Sequence, residues 1–503
     1  MLEQKTYARF DGALSVGGLP EGADALVFVK AARARGGRNV FIAADDTRAA
    51  NFMAACAFFA PDIPLLHLPA WDCLPYDRVS PSRTLAARRT AALYALTDDM
   101  GDLPIIIVTT VNGAQQKVAP RSILTRAGFR AKPGEDIDRG HLQNYLVTNG
   151  YSRVAIAVEP GDFAVRGSLI DIFPPELEQP VRLDFFGDEL ESIRSFEPQT
   201  QRTTGKAPSL YMAPVSEALL TEESRSRFRT GYIAAFGGGV SRDAVYAAVT
   251  EGIRPAGVEH YMPLLYDGLE TVFDYFGPNA LIALDSSAPQ ALAERHTLIE
   301  DYYDARQAYA KTQSDKDGKH RALPPSYLYL STEDWDGAIV DHDVRRHSGF
   351  EMPAGVGIIN FGAKLGRQFT AERQTDGVNV FEEAASHLKS LSKSGQKVWL
   401  ASWTEGSSER MGTVLDDHEL SIGLSKTGAE ALAIDKGTMR RVILPLEHGF
   451  TLGDLSVISE QDILGDRLVN RGRRKRAKNF ISDATALQPG DLVIHIDHGL
   501  GRY

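Results

Sequence analysis

The sequence has few of the features that mark secreted, zinc-binding or membrane-spanning proteins. Its 503 residues include two cysteines, Cys56 and Cys73, too few for a disulfide framework or a cysteine zinc cluster. No apolar run approaches the ~20 residues of a membrane span, and the run IIIV at 105–108 predicts a buried strand. The N-terminal stretch MLEQKTYARFDGALS has no apolar core of the signal-peptide type. We therefore expect a cytoplasmic protein without membrane contact.

The sequence also lacks an excess of basic residues. Its formal net charge is −11, with 43% hydrophobic and 24% charged residues. A dedicated DNA-binding module is usually basic, so the charge favours protein partners over tight binding of nucleic acid by the whole chain. The composition is that of a globular protein, and the length predicts roughly three to five domains.

A third absence concerns nucleotide chemistry. The stretch VGGLPEGAD, residues 16–24, fits the phosphate-binding template G-x-x-x-x-G-K-[ST], with Gly17 and Gly22 at its glycine positions. Ala23 stands where the template has the phosphate-binding lysine, and Asp24 where it has the magnesium-binding hydroxyl. An aspartate repels phosphate and is a good helix cap. We predict a degenerate P-loop that binds no ATP; an ordinary strand-to-helix turn is the alternative.

Hydrophobic patterning predicts an α/β multidomain fold. Residues 1–127 alternate strands and helices, as in a parallel sheet with crossover helices. The strand IIIVTT at 105–110 is not followed by the acidic pair of an ATPase. From 128 the pattern changes to strands with tight connections, which predicts an inserted antiparallel module over 128–210. Its predicted strands are RVAIAV (153–158), FAVRGSLIDIF (163–173), VRLDFF (181–186) and ESIRSF (191–196).

The rest of the chain predicts a return to the α/β layer and two further units. Residues 211–345 complete the α/β domain, and the Gly-rich residues 346–366 are predicted to be a linker. Residues 367–459 predict a small α/β domain with an amphipathic helix, FEEAASHLKSLSKSG, and the strands VWLAS, ALAI, VILPL and LSVIS. Residues 460–485 predict a basic linker, and 486–503 predict one strand between two turns.

The strand VRLDFF has an unusual polar side. Because side chains alternate along a strand, its first, third and fifth residues should face the core, and Arg182, Asp184 and Phe186 should face outwards. An outward phenylalanine beside an arginine is typical of protein interfaces. Arg166, on the strand predicted next to it, is expected to reach the same side. The sequence thus predicts a docking surface; a helix that covers this side is the alternative.

Several stretches of the chain carry a family resemblance. They are LPAWDCLPYDRVSPS (68–82), VTTVNGAQQKVAP (108–120), AVRGSLIDIFPPELEQPVRLDFFGDELESIRSFEPQTQRT (164–203), GVEHYMPLLYD (257–267) and GDLVIHIDHGLGRY (490–503). In this order, over nearly the whole chain, they resemble the N-terminal half of the bacterial transcription-repair coupling factor family, Mfd, whose first part is similar to UvrB. The last stretch resembles the opening strand of the family's RNA polymerase-interacting domain, a Tudor-like β barrel shared with the CarD family.

The resemblance implies a scaffold with no catalytic residues in this chain. It implies a UvrB-like fold of the degenerate P-loop/RecA-like type, and a UvrA-binding surface that contains Arg166, Arg182 and Phe186. It places Ile496 in the region that binds the RNA polymerase β subunit by sheet pairing. In the family, ATP hydrolysis and translocation on double-stranded DNA belong to two motor domains beyond Tyr503. ATP and Mg are therefore expected only there, and no cofactor or metal is expected in this chain.

Three functions are open at this point. The favoured one is the N-terminal portion of a transcription-repair coupling factor that recruits UvrA to RNA polymerase stalled at DNA damage. The alternatives are a UvrB-like ATP-dependent damage-verification helicase, which Ala23 and Asp24 argue against, and a CarD-like transcription regulator, which leaves most of the chain unexplained. Because one strand cannot bury a barrel core, we expect a fragment of a longer chain with feeble polymerase binding. The basic residues 471–478 fit either a solvated linker or salt-sensitive contact with DNA phosphate.

Overall fold

The computed structural model describes residues 2–98, 101–237, 240, 243–312, 321–465, 492–495 and 499–502. The α-helices in these ranges are α1 (Leu2–Arg9), α2 (Ala23–Arg35), α3 (Asp46–Phe59), α4 (Arg83–Ala95), α5 (Val111–Gln115), α6 (Arg121–Ala127), α7 (Arg139–Thr148), α8 (Glu222–Phe236), α9 (Ala244–Thr250), α10 (Val272–Phe276), α11 (Ala288–Thr312), α12 (Thr332–Ile339), α13 (Thr370–Gln374), α14 (Val380–Lys393), α15 (Glu405–Asp416), α16 (Gly428–Leu432) and α17 (Glu460–Leu464). Short 3-10 helices cover Val258–Leu264 and Pro325–Tyr327. None of the described helices is long and apolar enough to cross a bilayer.

The strands within the described ranges form five sheets. They are β1 (Leu14–Gly17), β2 (Arg38–Ala43), β3 (Leu65–Leu68), β4 (Ile105–Thr110), β5 (Phe129–Ala131), β6 (Ser152–Arg153), β7 (Asp162–Arg166), β8 (Leu169–Ile172), β9 (Val181–Phe186), β10 (Glu189–Phe196), β11 (Thr203–Ala207), β12 (Leu210–Met212), β13 (Leu281–Leu284), β14 (Asp343–His347), β15 (Ile358–Asn360), β16 (Lys364–Leu365), β17 (Lys397–Ser402), β18 (Met439–Ile443), β19 (Phe450–Leu452), β20 (Leu455–Ser459), β21 (Leu492–His495) and β22 (Gly499–Arg502).

The first sheet has seven parallel strands in the order β15-β1-β14-β13-β2-β4-β3. Strands β2, β4 and β13 contain continuous apolar runs because protein covers both faces, whereas the central strand β14 has the polar sequence DVRRH. In β2, Val40 and Ile42 belong to one hydrophobic core, and Phe41 and Ala43 belong to a second core on the opposite face. The predicted α/β fold with a parallel sheet is confirmed.

The segment 346–366, predicted to be a linker, differs from that expectation. Its residues Ile358–Asn360 form β15, which pairs in parallel with β1 at the edge of the first sheet. The backbone amide of Phe361 also donates to the carbonyl of Gly17, at 3.0 Å. The Gly-rich composition does not indicate a strand. The partner strand β1 lies more than 300 residues earlier in the chain, so no local pattern indicates the pairing either.

The second sheet is the inserted module, with six strands in the order β11-β10-β9-β8-β7-β6. All neighbours are antiparallel except β6 and β7, which are parallel. The chain enters and leaves this module through β5 and β12, which pair as a separate two-stranded ribbon. The module has its own hydrophobic core, in which α7 packs on the inner face of the sheet.

Two predicted strands of this module are shorter than expected. The stretch FAVRGSLIDIF is a hairpin of β7 and β8, because the backbone turns at Gly167, whose φ of 58° lies in the left-handed region. In RVAIAV only Arg153 belongs to a strand, and the remaining residues form a loop pinned by the buried side chain of Ala157. A short apolar pattern such as RVAIAV does not distinguish a partly buried loop from a strand.

The third unit is a mixed five-stranded sheet in the order β16-β19-β20-β17-β18, with the predicted amphipathic helix as α14. ALAI is not a strand, because its first residues end helix α16. This unit shares one hydrophobic core with the first sheet: Trp399 and Phe450 are fully buried in the same cluster as Phe59. The small unit is therefore fixed against the α/β domain by apolar packing.

The last described residues form an antiparallel hairpin of β21 and β22. Only one strand was predicted here, so the second strand is a correction. The pattern G-L-G-R has too few apolar residues to indicate a strand by itself.

Candidate functional site

The candidate site is one face of the six-stranded sheet. In β9 the first, third and fifth side chains are buried in the core of the module, and Arg182, Asp184 and Phe186 lie on the other side. The predicted alternation is confirmed. We call this side, with these three residues, the outer face.

Phe186 is the most exposed aromatic residue of this face. Its side chain ends β9, and the residue is 75% exposed. It pairs with Glu189 across a tight hairpin, and Gly187 in that hairpin has a φ of 66°. With this exposure, no helix in the described ranges covers the ring, which was the alternative for this face. The phenyl ring is thus available to a partner.

Arg182 has a different environment from the one expected. Its Nε donates to Oδ1 of Asp171 at 2.6 Å, and its Nη2 donates to Oδ2 of the same carboxylate at 2.9 Å. Asp171 is fully buried on β8, directly opposite in the sheet register. The guanidinium carbon also lies 4.7 Å from the centre of the Phe196 ring. This bidentate pair makes Arg182 a structural residue as well as a candidate contact.

Arg166 lies on the same side but farther away than expected. The sequence predicted it on a strand next to β9, and that is wrong, because β8 lies between β7 and β9. The register Arg166–Leu169–Asp184 keeps all three side chains on the outer face. The exposed guanidinium of Arg166 donates from Nη2 to the carbonyl oxygen of Ala155 at 3.1 Å. The structure therefore brings Arg166, Arg182 and Phe186 onto one face, two strands apart at most.

Sequence reasoning missed two basic residues of the outer face. Arg194 on β10 lies directly opposite Arg182, and Lys206 on β11 lies directly opposite Arg194. Arg194 forms an ion pair with Asp184. The alternation of ESIRSF indicates that Arg194 faces outwards. The sequence does not give the strand order that aligns Arg194 with Arg182 and Lys206.

The predicted P-loop is a turn between β1 and α2 whose backbone donors are already in use. The amide of Gly18 donates to the carbonyl of Phe350, at 2.9 Å. The amides of Gly22 and Ala25 donate to Oδ1 of Asp24 at 3.0 and 2.7 Å. In a working P-loop such amides hold the phosphates. Here the carboxylate of Asp24 takes two of them.

A buried ion triad lies beside this turn. Arg48 of α3 forms an ion pair with Asp24, and its Nε donates to Oδ2 of Asp285 at 2.7 Å. Burial raises the pKa of the Asp24 carboxyl, and the Arg48 guanidinium opposes that rise. Burial would lower the pKa of Arg48, but the two carboxylates raise it overall. The two carboxylates of the triad thus share one guanidinium, which leaves no free cation of this triad to hold a phosphate.

The small unit covers the same turn. A Cβ atom placed on Gly22 would lie 2.8 Å from Cε1 of Phe450 and 2.9 Å from Cδ2 of Leu446. Ala23, at the position of the template lysine, is fully buried. The region that would receive phosphate is therefore enclosed by apolar side chains.

The remaining predicted site residue, Ile496, lies outside the described residues, as does the basic segment 471–478. Within the described ranges no cluster of three or more histidine, cysteine, aspartate or glutamate side chains has the geometry of a metal site. The two cysteines are unpaired.

Comparison with known proteins places the inserted module in a defined family. Residues 129–217 match the family model described as the UvrB interaction domain. This match begins at β5 and ends five residues after β12, so it coincides with the inserted module and its entry ribbon.

Relatives of the whole chain are transcription-repair-coupling factors. The factor of Myxococcus xanthus is 30% identical over 92% of this chain and 40% of its own length. That of Escherichia coli is 28% identical over 97% and 41%, and that of Rickettsia bellii is 26% identical over 92% and 40%. The chain thus spans about two-fifths of the length of the curated relatives it matches. The resemblance predicted from the sequence is confirmed: over more than nine-tenths of its length, the chain is a relative of the transcription-repair-coupling factors.

Proposed function

We propose that this chain is the portion of a transcription-repair coupling factor that recruits UvrA to RNA polymerase stalled at DNA damage. The observation that supports this most is the exposed ring of Phe186 on the outer face of the module that matches the UvrB interaction domain. A largely exposed phenylalanine on an ordered strand, beside arginines, is typical of an interface anchor.

The three predicted contact residues have distinct roles in this proposal. Phe186 offers its exposed ring to UvrA as an apolar contact. Arg166 supplies an exposed guanidinium that can pair with a carboxylate or stack on an aromatic ring. Arg182 contributes charge while its bidentate pair with Asp171 holds it in place. Rigid anchors lose little conformational entropy when they bind.

The proposal assigns no nucleotide chemistry to these residues. A degenerate P-loop of UvrB-like, RecA-like type accounts for the turn before α2, since Asp24 occupies the amides that phosphate requires. We propose that ATP, Mg and translocation on double-stranded DNA belong to the part of such factors outside the two-fifths of their length that this chain matches. We further propose a cytoplasmic location, and contact with the RNA polymerase β subunit through a Tudor-like barrel that β21 and β22 begin.

A UvrB-like helicase subunit is the competing function, and nucleotide binding separates the two. The scaffold proposal predicts that millimolar ATP and Mg leave the thermal midpoint of the chain unchanged. Binding at 100 times the dissociation constant would stabilise the folded state by about 2.7 kcal/mol. A clear upward shift would favour the helicase function.

Pull-down of purified UvrA tests the docking surface directly. Wild-type chain should retain UvrA, and Phe186→Ala and Arg166→Ala should each retain clearly less. Neither side chain supports the core, so both variants should keep the wild-type thermal midpoint. Equal retention by wild type and both variants would contradict the proposal.

A further inference from the structure

Three basic side chains form a row across the outer face. The sheet register aligns Arg182 of β9 with Arg194 of β10, and Arg194 with Lys206 of β11. Adjacent strands lie about 4.8 Å apart, so the row spans about 10 Å. We call these three residues the basic row.

Like charges placed directly opposite each other destabilise a sheet. The module offsets this in part: Arg182 pairs with Asp171, and Arg194 pairs with Asp184. Lys206 is exposed and has no carboxylate partner among the described residues. The row therefore ends in a cation that nothing within the described protein neutralises.

The strand that bears Lys206 is open to solvent. β11 is an edge strand of the sheet, and its first four residues are exposed. Thr204, which lies on the same side of β11 as the lysine, is exposed as well. A partner surface can therefore approach the end of the basic row without displacing any side chain.

We propose that the docking surface for UvrA continues from Phe186 along the basic row to Lys206, and that it receives an acidic protein surface. This inference rests on the proposed function. Phe186 supplies the apolar anchor at one end, and Lys206 supplies an unneutralised charge at the other. Such a charge raises the association rate and fixes the orientation of the partner.

The surroundings favour an acidic protein over nucleic acid. The matched module, residues 129–217, has nine Lys and Arg residues against fourteen Asp and Glu residues. Tight binding of a duplex uses several cations that each contact a phosphate, and two of the three cations in the basic row are already paired with carboxylates. The outer face also contains the buried carboxylate of Asp171 and the half-buried one of Asp184 next to its arginines.

Charge reversal at the end of the row tests the inference. The full chain with Lys206→Glu is titrated with purified UvrA at low and at high salt. The matched control is Arg153→Glu, an exposed residue of the same module whose register with Phe163 puts it on the opposite side of the sheet. Thermal midpoints establish that both variants fold, and Phe186→Ala is measured in parallel.

The inference predicts that Lys206→Glu weakens UvrA binding about tenfold at low salt and much less at high salt. Arg153→Glu should stay within about twofold of wild type, since only long-range attraction changes. If Phe186→Ala loses binding while Lys206→Glu does not, the extension along the row is wrong and the docking function stands. If wild-type chain does not bind UvrA, both proposals fail. If Lys206→Glu abolishes binding of a short DNA duplex and leaves UvrA affinity unchanged, the row is a nucleic-acid contact and the inference is overturned.

Discussion

Removal of Arg182 should destabilise the inserted module before it affects any partner. Arg182→Ala leaves the carboxylate of Asp171, which is fully buried, without its two hydrogen bonds from the guanidinium. Breaking a buried ion pair from one side typically costs 3–5 kcal/mol. The Arg182 side chain is 16% exposed, so water can partly replace it. The stacking on Phe196 adds about 0.5–1 kcal/mol, and we expect a total loss of about 3 kcal/mol.

Urea unfolding, followed by circular dichroism, measures this loss. Arg182→Ala should lower the free energy of unfolding by about 3 kcal/mol, and a second change, Asp171→Ala, should restore most of it, because the stranded charge is removed. Arg166→Ala is the control, since this exposed arginine has no carboxylate partner among the described residues; its effect should stay within about 0.5 kcal/mol. A single variant as stable as wild type, or a double variant as unstable as the single one, would refute the reasoning.

Three further predictions concern buried groups. Burial lowers the pKa of His260 to about 4; because the unfolded histidine binds its proton near pH 6.5, stability falls as the pH drops from 6.5 towards 4. The free energy of unfolding of wild type, measured in urea, should therefore fall by about 2 kcal/mol more between pH 7 and pH 5 than that of His260→Gln. Gly22→Ala should unfold more easily than Gly134→Ala: both positions have a φ near 90°, but only Gly22 is in contact with side chains of the small unit. If both variants lower the thermal midpoint equally, the close packing of the small unit on Gly22 does not contribute to stability. Arg48→Met should cost about 3 kcal/mol, because two buried carboxylates lose their guanidinium partner; no measurable loss would contradict the role of the ion triad.

Local patterns predicted the parts of the structure that depend on side-chain alternation. The six residues of VRLDFF were enough to place Phe186 on the outer face, because one side of the strand is apolar throughout. The helix α14 was predictable from its apolar stripe at helical spacing, and β4 from its continuous apolar run. The family resemblance added the role of the surface, which alternation cannot supply.

Features that depend on pairing between distant segments were not predictable. The bond between Arg182 and Asp171 requires the register of β8 with β9, which in turn depends on the turn at Gly167. The strand β15 pairs with β1, and nothing local in a Gly-rich segment indicates that partner. The enclosure of Gly22 by the small unit is likewise a contact between remote parts of the chain.

The central claim, docking through an exposed ring, is tested most directly by the ratio of two dissociation constants for UvrA. A phenylalanine buries 150–250 Å², so a ring that is 75% exposed offers roughly 150 Å² to a partner, worth up to about 4 kcal/mol before losses on binding. Phe350 is 77% exposed and lies outside the module, so Phe350→Ala removes an equivalent ring elsewhere. Titration calorimetry should show Phe186→Ala weakened by about 30-fold or more, or 2 kcal/mol, and Phe350→Ala unchanged within about twofold. Equal dissociation constants for the two variants would contradict the account.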